Sequence, residues 1–310
     1  MRVAVVDIGT NSTRLLIADV DRDSRSLQEL VRRSRVTRLG EGVDSSGSLS
    51  AAAIDRVLET LEQYRREMDD HACEANLAVL TSAVRDADNG EQFAARVRVD
   101  YGFDARVLSG DEEAQLTFLG AMSGRAGKGA PGAPRTDQTE PTVVIDVGGG
   151  STEFIIGTGL EPQLTESLYM GCLSFSLKYF AEGKVDKPRM KAAELAARQE
   201  LSGIVHAYRA SGWDEAVGSS GTARSLENIL RENGFAADGL TREGLERLRS
   251  VLIKHEKADP DRIAGLRPNR APVVLGGLAI MSAVFEELGI EAMKVSDGAL
   301  RHGVLYDLLG

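Results

Sequence analysis

Cysteine is almost absent: Cys73 and Cys172 are the only two in 310 residues. That excludes a disulfide framework and a thiolate zinc site, and two packing thiols fit a reducing, cytoplasmic setting. Histidine is scarce too. His71, His206, His255 and His302 are scattered, which gives neither a histidine-ligated metal nor a Ser-His-Asp triad. No apolar run approaches the roughly 20 residues that a membrane helix needs. The start of the chain has one Arg, a five-residue strand-like stretch and then Asp7, which is not the pattern of a signal peptide. Positive charge is in deficit, with 37 Lys and Arg against 47 Asp and Glu. The resulting net charge of −10 argues against nucleic acid or a membrane surface as a partner. An anionic substrate is still allowed, because local arginines, backbone amides and a metal can hold one in an acidic protein.

The chain does carry a phosphate-loop pattern, twice. Residues 3–13 read VAVVDIGTNST and residues 143–153 read VVIDVGGGSTE. The two align at an offset of 139, Asp7 on Asp146, Gly9 on Gly148, Ser12 on Ser151 and Thr13 on Thr152. A repeat this long implies two related half-molecules, expected to face each other across a cleft. Each copy is a short β-branched run, which reads as a buried strand, followed by Asp and a turn of Gly, Ser and Thr. Glycines let backbone N–H groups close on an anion, and the hydroxyls of Thr10, Ser12 and Ser151 add donors. The aspartates repel phosphate but can serve a divalent cation that neutralises it.

Composition and length suit two domains. Residues 2–7, 14–20 and 28–37 read as strands, 50–70 as a helix capped by Ser50, and 77–80 as a strand running into a loop that holds Arg85. A helix over 90–99, a strand at 104–108 and a helix from 110 to about 122 follow. Residues 123–141, rich in Gly, Pro and polar residues, read as a linker. The domains are therefore expected at 1–124 and 125–310, with a last helix near 299–310 that can pack back on the first. Beyond the linker, strands are expected at 142–146, 152–157, 163–168 and 292–295. Helices are expected near 171–180, 187–209, 221–232, 273–289 and 299–309. Strands first and helices after, in each half, predict an α/β fold.

Three further segments carry chemistry. In VLSGDEEAQLTFLGA, Ser109 reads as a helix N-cap and Glu112 as its capping-box partner. Glu113 is not needed for the cap. It either orients and deprotonates a water or merely complements the helix dipole, and spacing alone leaves both open. Arg85 at a strand end suits an anion, although Asp86 and Asp88 could simply pair with it. In VGSSGTARSLENIL, Ser220, Gly221 and Thr222 would bring donors to a helix N-terminus. Arg224, Lys254, Arg267 and Arg270 could extend a cationic path.

With DIGTNS, TSAVR, SGDEEA, DVGGGSTE, MGCLSF, GSSGT and SDGALRHG in this order, the chain resembles the exopolyphosphatase / guanosine pentaphosphate phosphohydrolase family over nearly all its length. The resemblance implies two ribonuclease-H-like domains of the actin, sugar kinase and heat-shock ATPase type around a central cleft. It implies release of terminal orthophosphate from inorganic polyphosphate with Mg²⁺ or Mn²⁺. Glu113 falls on the family's base and Arg85 on its phosphate-binding arginine. Asp146, Gly148, Ser151 and Glu153 fall on its phosphate and metal motif, with Gly149 and Gly150 completing that loop. Asp7, Gly9, Asn11 and Ser12 fall on its first loop. The expected metal set is Asp146, Glu153 and Asp7. Implied partners are polyphosphate and pppGpp or ppGpp, and members are often homodimers. The alternatives to an exopolyphosphatase are a pppGpp 5′-phosphohydrolase and an alarmone-binding sensor with little turnover. Two departures stand out: Pro272 replaces an acid in the R-A-D-V motif, and His302 replaces an acid after S-x-x-G-x-R. The chain reads as a short form, without the extra helical domain of long members.

Overall fold

A computed structural model describes residues 1–24, 26–43, 47–123 and 140–309. Most of the expected linker, residues 124–139, lies outside the described residues. The chain forms two compact units. Unit one comprises Met1–Gln138, Gly159–Glu161 and Asp297–Gly310, and unit two Thr139–Thr158 and Pro162–Ser296.

Unit one begins with β1 (Arg2–Ile8), β2 (Ser12–Asp21) and β3 (Ser26–Val36). Then come α1 (Ala51–Asp70), β4 (Ala75–Leu80), α2 (Ser82–Arg85), α3 (Gly90–Val99), β5 (Asp104–Val107) and α4 (Gly110–Ser123). The sheet order is β3-β2-β1-β4-β5. β1 runs antiparallel to β2 and parallel to β4, which in turn runs parallel to β5. Alternation along β1 divides its side chains between two cores. Ala4, Val6 and Ile8 join Leu58, Leu61 and Phe93 from α1 and α3 on one face. Val3 and Val5 join Leu116 of α4 on the other. Ser50 caps α1 by accepting the Ala53 N–H at 3.2 Å.

Unit two repeats the plan. β6 (Thr142–Val147), β7 (Thr152–Thr158) and β8 (Glu161–Leu168) precede α5 (Cys172–Tyr179), α6 (Lys187–Leu201) and α7 (Val205–Ser211). β9 (Glu215–Gly218), α8 (Gly221–Glu232), β10 (Leu240–Thr241), α9 (Arg242–His255), α10 (Ala271–Leu288) and β11 (Ala292–Val295) follow. The order β10-β11-β9-β6-β7-β8 contains the same five-strand arrangement as unit one, with β10 added at the edge. This strand order, used twice, is the ribonuclease-H-like plan. α10 is apolar nearly all round, and its apolar sides are spent in the core of unit two. Pro272 lies in its first turn, where the missing N–H costs nothing. The chain then returns to unit one as α11 (Leu300–Asp307), where Leu300, Val304 and Leu305 pack against Val5, Leu16 and Leu116.

Three readings need correcting. Arg85 ends a short helix, α2, rather than lying in a loop. The single helix expected over 187–209 is two, α6 and α7, broken around Gly203, whose helix propensity is poor. The helix α9 was not anticipated.

Candidate active site

In unit one, β1 ends at Ile8, one residue past Asp7, and Gly9 turns the chain. The Gly9 N–H donates to the Ser12 carbonyl at 3.1 Å. Residues 37–40 hold the turn from behind. The Thr37 and Arg38 N–H groups both donate to the Asn11 carbonyl, at 3.2 and 3.0 Å, and the Gly40 N–H donates to that of Thr10 at 2.9 Å. Thr10, Asn11 and Ser12 are all buried. The Ala83 N–H of α2 donates to Thr10 Oγ1 at 3.3 Å, which ties the loop to the helix that carries Arg85.

Arg85 Nη1 donates to Glu113 Oε2 at 2.9 Å and to the Leu108 carbonyl at 3.1 Å. Asp86 is farther, 3.5 Å from Arg85 Nε, so the principal acidic partner is Glu113. Glu113 is 8% exposed. A carboxylate so buried needs a cation or donors beside it, and Arg85 supplies both. The neighbouring Glu112 takes the cap: it accepts the Ser109 N–H at 2.8 Å, while its own N–H donates to Ser109 Oγ at 3.2 Å. These bonds from Ser109 hold its carboxyl below the usual range. The cap role and the Arg85 partner thus fall on adjacent glutamates.

The unit-two loop is built in the same way. The Gly148 N–H donates to the Ser151 carbonyl at 2.9 Å. The segment after β8 holds it from behind: Cys172 N–H donates to the Gly148 carbonyl, and Leu173 and Ser174 N–H to that of Gly149, at 2.9, 3.0 and 3.2 Å. Gly171 is obligatory here, since a Cβ on it would lie 2.2 Å from the Gly149 oxygen and 2.3 Å from the Gly150 nitrogen. The repeat also extends beyond the loops. Arg85 and Arg224 are again 139 apart, each four residues after a helix N-cap, Thr81 and Ser220.

The two loops differ in what faces the aspartate. Antiparallel register places Asp7 opposite Arg14, and Asp146 opposite Glu153. Arg14 Nη1 donates to Asp7 Oδ2 at 3.1 Å, which makes a neutral pair. In unit two the register sets two acids side by side. Ser219 Oγ donates to Asp146 Oδ2 at 2.7 Å. Ser151 and Ser167 Oγ donate to Glu153 Oε1 at 2.6 and 3.1 Å. Among the described residues there is no group of three or more His, Cys, Asp or Glu placed to share a metal. Two carboxylates beside a glycine-rich turn nevertheless fit a hard cation such as Mg²⁺, which keeps several waters and takes one or two protein carboxylates.

At the start of α8, Ser220 Oγ accepts the Ala223 N–H at 3.0 Å, and Thr222 Oγ1 donates to the Val147 carbonyl at 2.8 Å. The Thr222 hydroxyl proton is thus used to tie α8 to β6. Gly221 makes room for Arg270, whose Nη2 would lie 2.1 Å from a Cβ there. Gly221, Arg224, Asn228, Arg267 and Arg270 line a cavity of about 150 Å³. Lys254 is exposed on the last turn of α9 and does not line that cavity. Sequence reasoning missed the hydroxyls of Ser167 and Ser219 and the Asp7–Arg14 pair. The pair was accessible from the hairpin, since a tight turn at Gly9–Ser12 forces that register.

A model of the Ppx/GppA phosphatase family matches residues 16–310. Among solved structures, an exopolyphosphatase from Cytophaga hutchinsonii is similar at 27% identity and a TM-score of 0.85, over 100% of this chain and 98% of that one. The Aquifex aeolicus Ppx/GppA family member is similar at 27% identity and a TM-score of 0.77, over 100% and 97%.

Proposed function

The chain belongs to the Ppx/GppA phosphatase family, and on that premise we propose that it is an exopolyphosphatase, releasing terminal orthophosphate from inorganic polyphosphate by hydrolysis. The observation that carries this reading is the pairing of the buried Glu113 with the half-buried Arg85 at 2.9 Å, on the same unit as a phosphate-type loop. A guanidinium has five donors, so Arg85 can hold Glu113 and a phosphoryl oxygen together. Glu113 then takes a proton from the attacking water. The new P–O bond forms as the bridging P–O bond breaks, and the shortened polyphosphate leaves. In the same unit, the backbone amides of Thr10 and Asn11 are the donors for the remaining phosphoryl oxygens. A Mg²⁺ or Mn²⁺ held by Asp146 and Glu153 would neutralise phosphate charge.

One observation favours a second reading, pppGpp hydrolysis. Within unit two, the arginine-lined cavity beside Gly221 has the charge to take a phosphate of a guanosine polyphosphate. The test is Mg²⁺-dependent phosphate release from short polyphosphate, long polyphosphate and pppGpp side by side, with Glu113→Gln as the control. Release from polyphosphate that the variant lacks supports the exopolyphosphatase. Release from pppGpp alone moves the protein to the alarmone branch. Tight ppGpp binding with no release from any substrate makes it a sensor.

A further inference from the structure

Asn11 holds the one buried amide of the unit-one loop, and the loop does not need it. Its backbone carbonyl is already filled by the Thr37 and Arg38 N–H groups. Its φ is not positive, so asparagine is not there for a left-handed turn. Gly150 occupies the matching position in unit two, where the same Gly-to-Ser turn closes without any side chain. Asn11 is nevertheless 5% exposed, and its Oδ1 has no hydrogen-bond partner among the described residues. Its Nδ2 donates to Ser12 Oγ at 3.3 Å. With that orientation Ser12 keeps its own proton for a phosphoryl oxygen, and the loop gains an acceptor.

An ionised phosphate has no proton to offer that acceptor. Asp7, the acid of this loop, is already neutralised by Arg14, so it draws no cation to that acceptor. A water fits. We propose that Asn11 Oδ1 holds the second proton of the attacking water, so that Asn11 positions the nucleophile rather than binding phosphate. This rests on the hydrolase reading above. A water presented for in-line attack has two protons to place. Glu113 accepts one and becomes protonated, and Asn11 Oδ1 accepts the other, which stays on the oxygen as it bonds to phosphorus. The two acceptors belong to one hydrogen-bonded neighbourhood: Thr10, next to Asn11, accepts from Ala83 of α2, and Arg85 at the end of α2 holds Glu113.

The test uses the full chain with polyphosphate in water and in water–methanol mixtures. Methanol has one O–H, so it needs Glu113 but puts a methyl group where Asn11 expects a proton. Asn11→Ala should lower kcat by about tenfold, the worth of one well-placed hydrogen bond, with KM within a factor of about two. It should also raise the ratio of methyl phosphate to orthophosphate among the products. Asn11→Asp keeps an acceptor oxygen at that position and should return the product ratio toward that of the parent chain. A raised KM with unchanged kcat, or an unchanged product ratio in Asn11→Ala, would overturn the assignment and return Asn11 to phosphate binding. No phosphate release by the parent chain would overturn the hydrolase reading, and this inference with it. Melting temperatures of both variants within a few degrees of the parent show that the fold is intact.

Discussion

A buried carboxylate needs either a cation or hydrogen-bond donors, and Glu113 takes the first while Glu153 takes hydroxyls. That difference sets the expected cost of each change. Glu113→Gln keeps an acceptor for Arg85, so it should lose about 10²–10⁴ in kcat as a missing base does, with little change in urea midpoint. Arg85→Ala strands Glu113 in the interior and should lose activity together with about 3 kcal/mol of stability. Equal midpoints for the two variants in urea denaturation would contradict the pairing. A separate pair tests pH. His302 Nδ1 accepts the Ala299 N–H at 3.1 Å, so the ring proton sits on Nε2, 2.7 Å from Glu29 Oε1. Hydrogen bonding from His302, with Arg32 beside it, pulls Glu29 from 4.5 down to about 2. A depressed carboxyl stabilises the fold above its unfolded value and loses that contribution as pH falls toward the folded one. Parent and Glu29→Gln should therefore differ in urea midpoint at neutral pH and converge between about pH 4.5 and 2. A constant difference across that window would refute the pair. At this scale the sequence carries more than motifs. Tight turns at residues 9–12 and 148–151 dictate which residue faces each aspartate, whereas the 28-residue separation of Arg85 and Glu113 hides their contact.

The elements that shape the two loops are legible because strands with buried faces and capped helices leave local signals, as at β1, α1 and α4. What supports the loops from behind is not local. Thr37–Gly40 and Gly171–Ser174 come after the third strand of each unit, and only the fold brings them to the turn. The MGC segment is a case: Gly171 is the N-cap of α5, where a serine or asparagine would serve as well, yet a Cβ there would meet Gly149 and Gly150 at 2.2–2.3 Å. Gly171→Ala should therefore push the loop amides out of register while leaving the core of unit two in place. The expected result is a KM for polyphosphate raised about tenfold or more, with the far-ultraviolet spectrum unchanged. Parent-like KM would mean that the loop tolerates displacement. The helix α9 had usable signals, with Thr241 accepting the Gly244 N–H at 3.1 Å and Lys254 and His255 in its last turn. The break between α6 and α7 turns on Ser202 and Gly203, a small local preference easily read as a tolerated interruption.

At the scale of the whole chain, the repeat at 139 residues announces two related units, and both sheets follow one strand order. The repeat does not announce that unit one is completed by the far end of the sequence. α11 closes on α4 through two glycines: a Cβ on Gly303 would lie 1.7 Å from the Leu116 oxygen, and one on Gly120 would lie 2.1 Å from the Ala299 oxygen. Arg301, 5% exposed, donates to the Leu15 carbonyl at 2.7 Å. Leu300, Val304 and Leu305 fill the core face opposite α1 and α3. At about 1.5–3 kcal/mol for each large apolar side chain, their burial is comparable to the whole stability of an ordinary domain. The helix that carries Glu113 therefore depends on residues almost 190 positions further along the sequence, Leu300–Asp307. A chain cut after Ser296 should keep unit two and lose unit one. Amide hydrogen exchange would show β6, β7 and α10 still protected while β1, β2 and α4 exchange freely, and phosphate release would vanish. Protection of β1 and β2 in the shortened chain would show instead that the β-sheet of unit one stands without α11, and that α11 serves only to fix the position of α4.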